Sequence, residues 1–163
     1  MYRPIFTGGE TRTIESARGK ACSKGACTER VETITLDDFF ERQQLLSVYH
    51  LAIDTEGHDP LVLEGAAKSI RERKIAIIEF EVNSGGHWTT KKRSPFYRDR
   101  RTLRSAIARL EDAQYACFWQ MRVGLVPLSG ECWRPEFEQV RKWSNIVCAH
   151  EPPVVAALLS LRR

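Results

Sequence analysis

The residues best suited to chemistry lie in one short run, Asp54-Thr-Glu-Gly-His-Asp59, where two carboxylates and an imidazole alternate behind an apolar stretch. A carboxylate or imidazole fixed beside a reacting hydroxyl can take its proton, a contribution of about 10²–10⁴ in rate. His58 suits that task because an unperturbed imidazole titrates near neutrality. Each residue also has a structural reading. Asp54 would hold amides of the following turn, Glu56 would cap a neighbouring helix, and His58 would sit in a surface turn. Gly57 allows a tight turn or the close approach of a ligand. Asp59 reads most simply as the N-cap of the next helix.

A second set lies further along. Glu81 ends the apolar run Ile75-Ala-Ile-Ile-Glu-Phe-Glu-Val82, with Glu79 on the same face by strand alternation. A carboxylate at that end faces the same crevice as Asp54. His87 and Trp88 follow a glycine-rich turn and are expected on the substrate side, Trp88 as a stacking surface. Asp54, Glu56, His58 and His87 together offer carboxylate and imidazole donors to a metal. Nothing in their spacing demands one, and none is expected.

These residues need elements to hold them. Tyr49–Asp54 is a short apolar run that reads as a buried strand. Asp59-Pro60 starts a helix, in which Leu63, Ala66, Ala67 and Ile70 form one apolar stripe and Glu64 and Lys68 an i,i+4 ion pair. Ile75–Val82 is the second strand, apolar enough for burial on both faces. Two strands joined by a helix make a βαβ unit, and ligands bind beyond the carboxyl ends of such strands. Upstream, Val31–Thr35 reads as a strand, and Leu36 opens a helix with Asp37 as cap, ending near Leu46. Residues 1–30 read as loop or at most a weak hairpin. Downstream, Leu103, Ala106, Ile107 and Leu110 mark a second crossover helix. Tyr115–Met121, Val123–Leu128 and Trp143–Cys148 read as strands, Trp133–Phe137 as a loop or short helix, and Val154–Leu161 as a closing helix.

Three stretches carry a resemblance: Leu36-Asp-Asp-Phe, then Ile53-Asp-Thr-Glu-Gly-His-Asp-Pro-Leu-Val-Leu-Glu-Gly-Ala66, then Ile78-Glu-Phe-Glu81. They resemble the FkbM family of S-adenosylmethionine-dependent methyltransferases, and Tyr115–Trp119 and Trp143–Cys148 are similar to its later strands. The similarity runs from roughly residue 31 to 150. It implies a Rossmann-like class I methyltransferase fold of the α/β class, with a mostly parallel sheet and crossover helices. It implies S-adenosylmethionine as cofactor and O-methylation of a hydroxyl on a small molecule or glycan. On this reading Asp54, Glu56 and Gly57 shape the methyl-donor end, Asp54, Glu56 and His58 are the catalytic candidates, and Glu81, His87 and Trp88 contact substrate.

The chain departs from the family pattern in two places. No apolar strand precedes Gly8-Gly9 to make the expected glycine-rich cofactor turn, and Ala52 stands where a lysine is usual. The expectation is therefore the C-terminal part of a catalytic domain, spanning 31–163 and lacking the first strands. Its alternative is a non-catalytic remnant serving as a binding or regulatory subunit. Either way the strand at Tyr49–Asp54 becomes a sheet edge, open to self-association or a partner chain.

Composition bounds the rest. The 163 residues suit one domain, and a net charge of +4 is too mild to imply nucleic acid. The basic run Lys91, Lys92, Arg93, Arg98, Arg100, Arg101 and Arg104 reads as a solvated loop, or as a cover that binds an anionic substrate. It has few interleaved aromatics for stacking bases. Five irregularly spaced cysteines predict reduced thiols rather than a disulfide framework. Of the four tryptophans, all but Trp88 are assigned mainly to the core. No signal peptide or membrane span is evident, so a cytoplasmic protein is the default.

Overall fold

The computed structural model describes residues 12–14, 31–139 and 143–161. Two short strands, β1 (Arg12–Ile14) and β2 (Val31–Thr33), pair antiparallel. The main sheet has five strands: β3 (Val48–Ile53), β4 (Ile75–Val82), β5 (Ala116–Met121), β6 (Gly124–Pro127) and β7 (Ser144–Ala149). Their order is β3-β4-β7-β5-β6.

The α/β class holds, but a mostly parallel sheet does not. Only β3–β4 pair parallel, while β4–β7, β7–β5 and β5–β6 pair antiparallel. One strand accounts for most of the difference. β3, β4 and β5 share a direction, and β7 inserts between β4 and β5 against them, turning one would-be parallel contact into two antiparallel ones.

Helices α2 (Asp59–Gly65), α3 (Ala67–Arg71) and α4 (Leu103–Asp112) bury one face of the sheet, with α1 (Leu36–Arg42) alongside. Their Leu63, Ile70, Ile107 and Leu110 meet Ile78, Phe80 and Ile146. On the opposite face, α5 (Pro152–Ser160) sets Val155 and Leu158 against Phe118 and Val147. Among the described residues, no helix is long and apolar enough to cross a membrane.

Several local expectations are revised. Thr35, not Asp37, caps α1, accepting from the Asp38 amide at 3.0 Å. Asp37 instead crosses to α3, accepting from the Lys68 and Ser69 amides at 2.9 and 2.8 Å. The helix after Asp59 breaks at Ala66, which turns Ala67 outward and buries Ser69. Glu64 therefore pairs with Arg101 and Arg109 rather than with Lys68, which pairs with Glu41.

Cysteine behaviour also differs from expectation. Cys117 and Cys148 lie directly opposite on β5 and β7 and form a disulfide, while Cys132 is free and exposed. Register, not spacing along the chain, brings that pair together. Cys22 and Cys27 lie outside the described residues.

Candidate active site at the ends of two parallel strands

Ile53 pairs with Phe80, so β3 and β4 release the chain at the same end of the sheet. The two following loops lock together through glycine. A Cβ on Gly57 would stand 2.8 Å from the Gly85 carbonyl, and one on Gly86 would stand 2.3 Å from the Gly57 oxygen. The Gly57 oxygen accepts from the His87 amide at 2.8 Å. Gly57 therefore serves loop-to-loop contact rather than an open cradle. The preceding residue, Glu56, has φ +53, and a left-handed non-glycine costs about 1–2 kcal/mol.

Asp59 organises this junction. It is the first helical residue of α2, not the cap, and it is fully buried. Its carboxylate accepts from the Thr55 hydroxyl at 3.1 Å, from the Gly57 amide at 3.2 Å and from the Glu81 amide at 3.2 Å. It thereby ties the β3 loop to β4. Burial pushes its carboxyl above the usual range, and the hydrogen bonds from backbone and Thr55 oppose that rise.

The sequence-selected residues fall into two groups. Asp54 and Glu56 are exposed. Glu81 lies close enough to Asp54 and Asp59 to feel their charge, and is 8% exposed. Its carboxyl is pushed up, chiefly by burial, with hydrogen bonds from the Trp143 indole and the Asn83 amide opposing the rise. Asn83 donates to it at 2.5 Å while accepting from the Gly85 amide at 2.7 Å.

His58, His87 and Trp88 form the second group, turned into the interior. His58 is 4% and His87 2% exposed, with ring centroids 5.2 Å apart. Burial, then the nearby His87, lowers His58 from 6.5 to about 4, which keeps it neutral at pH 7. The His87 Nδ1 lies 3.0 Å from the Asp99 carbonyl oxygen, and its buried Nε2 meets no hydrogen-bond partner among the described residues. Trp88 is buried, stacks against Phe80 and donates to the Glu81 carbonyl at 2.9 Å.

Phe96 packs on both imidazoles, with centroids 5.4 and 5.1 Å away, so the basic loop lies across them. Part of that loop's charge is engaged. Arg101 reaches Glu64 at 2.6 and 3.1 Å, Arg104 meets Glu111 at 2.9 Å, and Arg100 lies 4.1 Å over the Tyr97 ring. Lys91, Lys92, Arg93 and Arg98 are exposed.

Two features at the site escape sequence reading. Glu79 finds partners in Asn145, at 3.0 Å, and His50, at 3.4 Å. Trp143, assigned to the core, is 68% exposed beside Glu81. Its flanks, Lys142 and Ser144-Asn145, carry the available signal, since a tryptophan among polar residues at a strand start points outward as readily as inward.

A carboxylate pair at adjacent strand ends, one exposed and one desolvated, can hold a cation and accept a proton. The family model described as Methyltransferase FkbM domain matches residues 2–147, starting well before residue 31, where the similarity was expected to begin. No curated protein and no solved structure matches the chain. The match spans most of the sequence and includes both strand ends that build the site: this chain belongs to the FkbM methyltransferase family.

Proposed function

We propose that the chain contributes to S-adenosylmethionine-dependent O-methylation of a hydroxyl on a small molecule or glycan. The observation that carries this reading is the placement of Asp54 and Glu81 at the ends of two adjacent parallel strands. In the Rossmann-like frame that the family implies, that is the ligand-binding end of the sheet.

The donor set suits the cationic end of the cofactor: exposed carboxylates at Asp54 and Glu56 complement an ammonium and a sulfonium. When bound, S-adenosylmethionine supplies an electrophilic methyl group. Asp54 and Glu56 would hold its cationic end. Glu81, its carboxyl raised by burial, would take the proton of the acceptor hydroxyl. Positioning of the acceptor along the line of displacement contributes more than proton removal. His58, neutral and buried, packs against His87 and Phe96 inside the loop junction. The glycine-rich turn after β4 packs against Gly57 rather than lying open, so this reading does not assign it the rest of the cofactor.

Calorimetric titration with S-adenosylhomocysteine tests the proposal. Saturable binding that is lost in Asp54→Ala is expected, and a folded chain without binding would refute a self-sufficient site. The second reading, a non-catalytic binding or regulatory subunit, is favoured by the position of β3 at the sheet edge. Light scattering that finds only monomer in the absence and presence of candidate partners would count against it.

A further inference from the structure

Trp143 is the one tryptophan whose indole is mostly in solvent, whereas Trp88 and Trp119 are buried at 2% and 3% exposure. An exposed indole on a surface usually samples several rotamers. This one stands at the end of β4, since Ser144 and Asn145 pair with Val82 and Glu81, and its N–H donates to Glu81, itself only 8% exposed. A ring fixed before the ligand arrives loses little conformational entropy on binding.

Its surroundings narrow what it could bind. Asn145, two residues on, is exposed, and its amide donates to Glu79 at 3.0 Å. Asp54 is exposed and follows Ile53, which pairs with Phe80, so it stands beside Glu81. The indole is therefore bordered by carboxylates and an amide, not by further apolar side chains. An apolar protein surface would leave those groups unpaired. An anionic ligand would meet Asp54 and Glu81. A neutral ring with one C–H face and a rim of hydroxyls matches both parts: the face stacks on the indole, and the hydroxyls donate to carboxylates and accept from the amide.

We propose that Trp143 is a stacking platform for a neutral sugar ring, with Asp54, Glu81 and Asn145 bonding its hydroxyls. This deepens the methyltransferase reading and rests on it for the role of the bound sugar as methyl acceptor. It also separates this surface from the basic loop, whose exposed Lys91, Lys92, Arg93 and Arg98 lie on another segment.

The test is saturation-transfer NMR of the full chain with neutral methyl glycosides (glucoside, galactoside, mannoside and fucoside), beside calorimetry with S-adenosylhomocysteine. Transfer to ring protons of at least one glycoside is expected. It should be partly retained in Trp143→Phe, which keeps a stacking face but not the bond to Glu81, and weaken about tenfold or more in Trp143→Ala, with far-ultraviolet circular dichroism and S-adenosylhomocysteine binding unchanged. No transfer to any glycoside, or transfer unaffected in Trp143→Ala, would overturn the platform. So would loss of S-adenosylhomocysteine binding in Trp143→Ala, which would assign the indole to the cofactor's adenine. Sugar transfer in a chain that never binds S-adenosylhomocysteine would uphold the platform and refute the methyltransferase reading.

Discussion

Replacing Gly86 with alanine should damage the junction far more than the same change at Gly130, although both glycines are left-handed, at φ +48 and +60. At Gly130 an added Cβ meets nothing within 4 Å among the described residues, so Gly130→Ala carries only the backbone strain, about 1 kcal/mol. At Gly86 the Cβ would fall 2.3 Å from the Gly57 oxygen and 2.6 Å from its carbonyl carbon. Both are backbone atoms, so no side chain can swing away, and the loops must separate by roughly 1 Å. That overpacking adds about 1–3 kcal/mol. Separation also stretches the His87–Gly57 backbone hydrogen bond, now 2.8 Å, worth about 1 kcal/mol. Gly86→Ala should therefore cost about 3–5 kcal/mol in total. Urea unfolding followed by circular dichroism would measure both variants against the parent. Equal losses, within about 1 kcal/mol, would refute the claim that glycine-to-glycine contact holds the site together.

Other expectations concern the same region and the core. His58 has its folded value lowered from 6.5 to about 4, so the unfolded chain takes up the proton first; stability from this residue is intact above pH 6.5 and is lost as pH falls toward 4, by up to ~3 kcal/mol. Stability measured against pH for the parent and His58→Gln should diverge in that window, and parallel curves would count against a buried neutral imidazole. Asp59→Ala strips acceptors from the Gly57 and Glu81 amides and should cost about 3–5 kcal/mol by chemical unfolding, with Asp59→Asn milder because one amide oxygen remains. Reducing Cys117–Cys148, which span 31 residues, should lower stability by about 3–4 kcal/mol, read from urea unfolding with and without reductant. A chain indifferent to reductant would contradict the bridge.

The parts legible in the sequence were those governed by local pattern. Ile75–Val82 and Leu103–Asp112 show their apolar periods plainly and occur as β4 and α4. The site-bearing loop was also visible, because carboxylates that directly follow an apolar strand must leave the sheet at its end. What was not legible depends on register and on contacts across the fold. The antiparallel course of β7 and the Cys117–Cys148 pairing follow from which strands become neighbours. Asp37 carries no sign of reaching Lys68 and Ser69, and Asp59 none of bonding the Glu81 amide. The burial of His58 and His87 depends on Phe96 folding back over them from the basic loop.

The place of β7 has a consequence for how the protein is made. In the order β3-β4-β7-β5-β6, the last strand in the chain is the middle strand of the sheet. Until Ser144–Ala149 is available, β3–β4 and β5–β6 are separate two-stranded pieces, and such pieces are marginal in water on their own. During synthesis from the N-terminus the sheet cannot close until translation has passed residue 149, so β4 and then β5 each wait with an unpaired edge. Closure then couples the halves in one step, which makes the folding of this region cooperative.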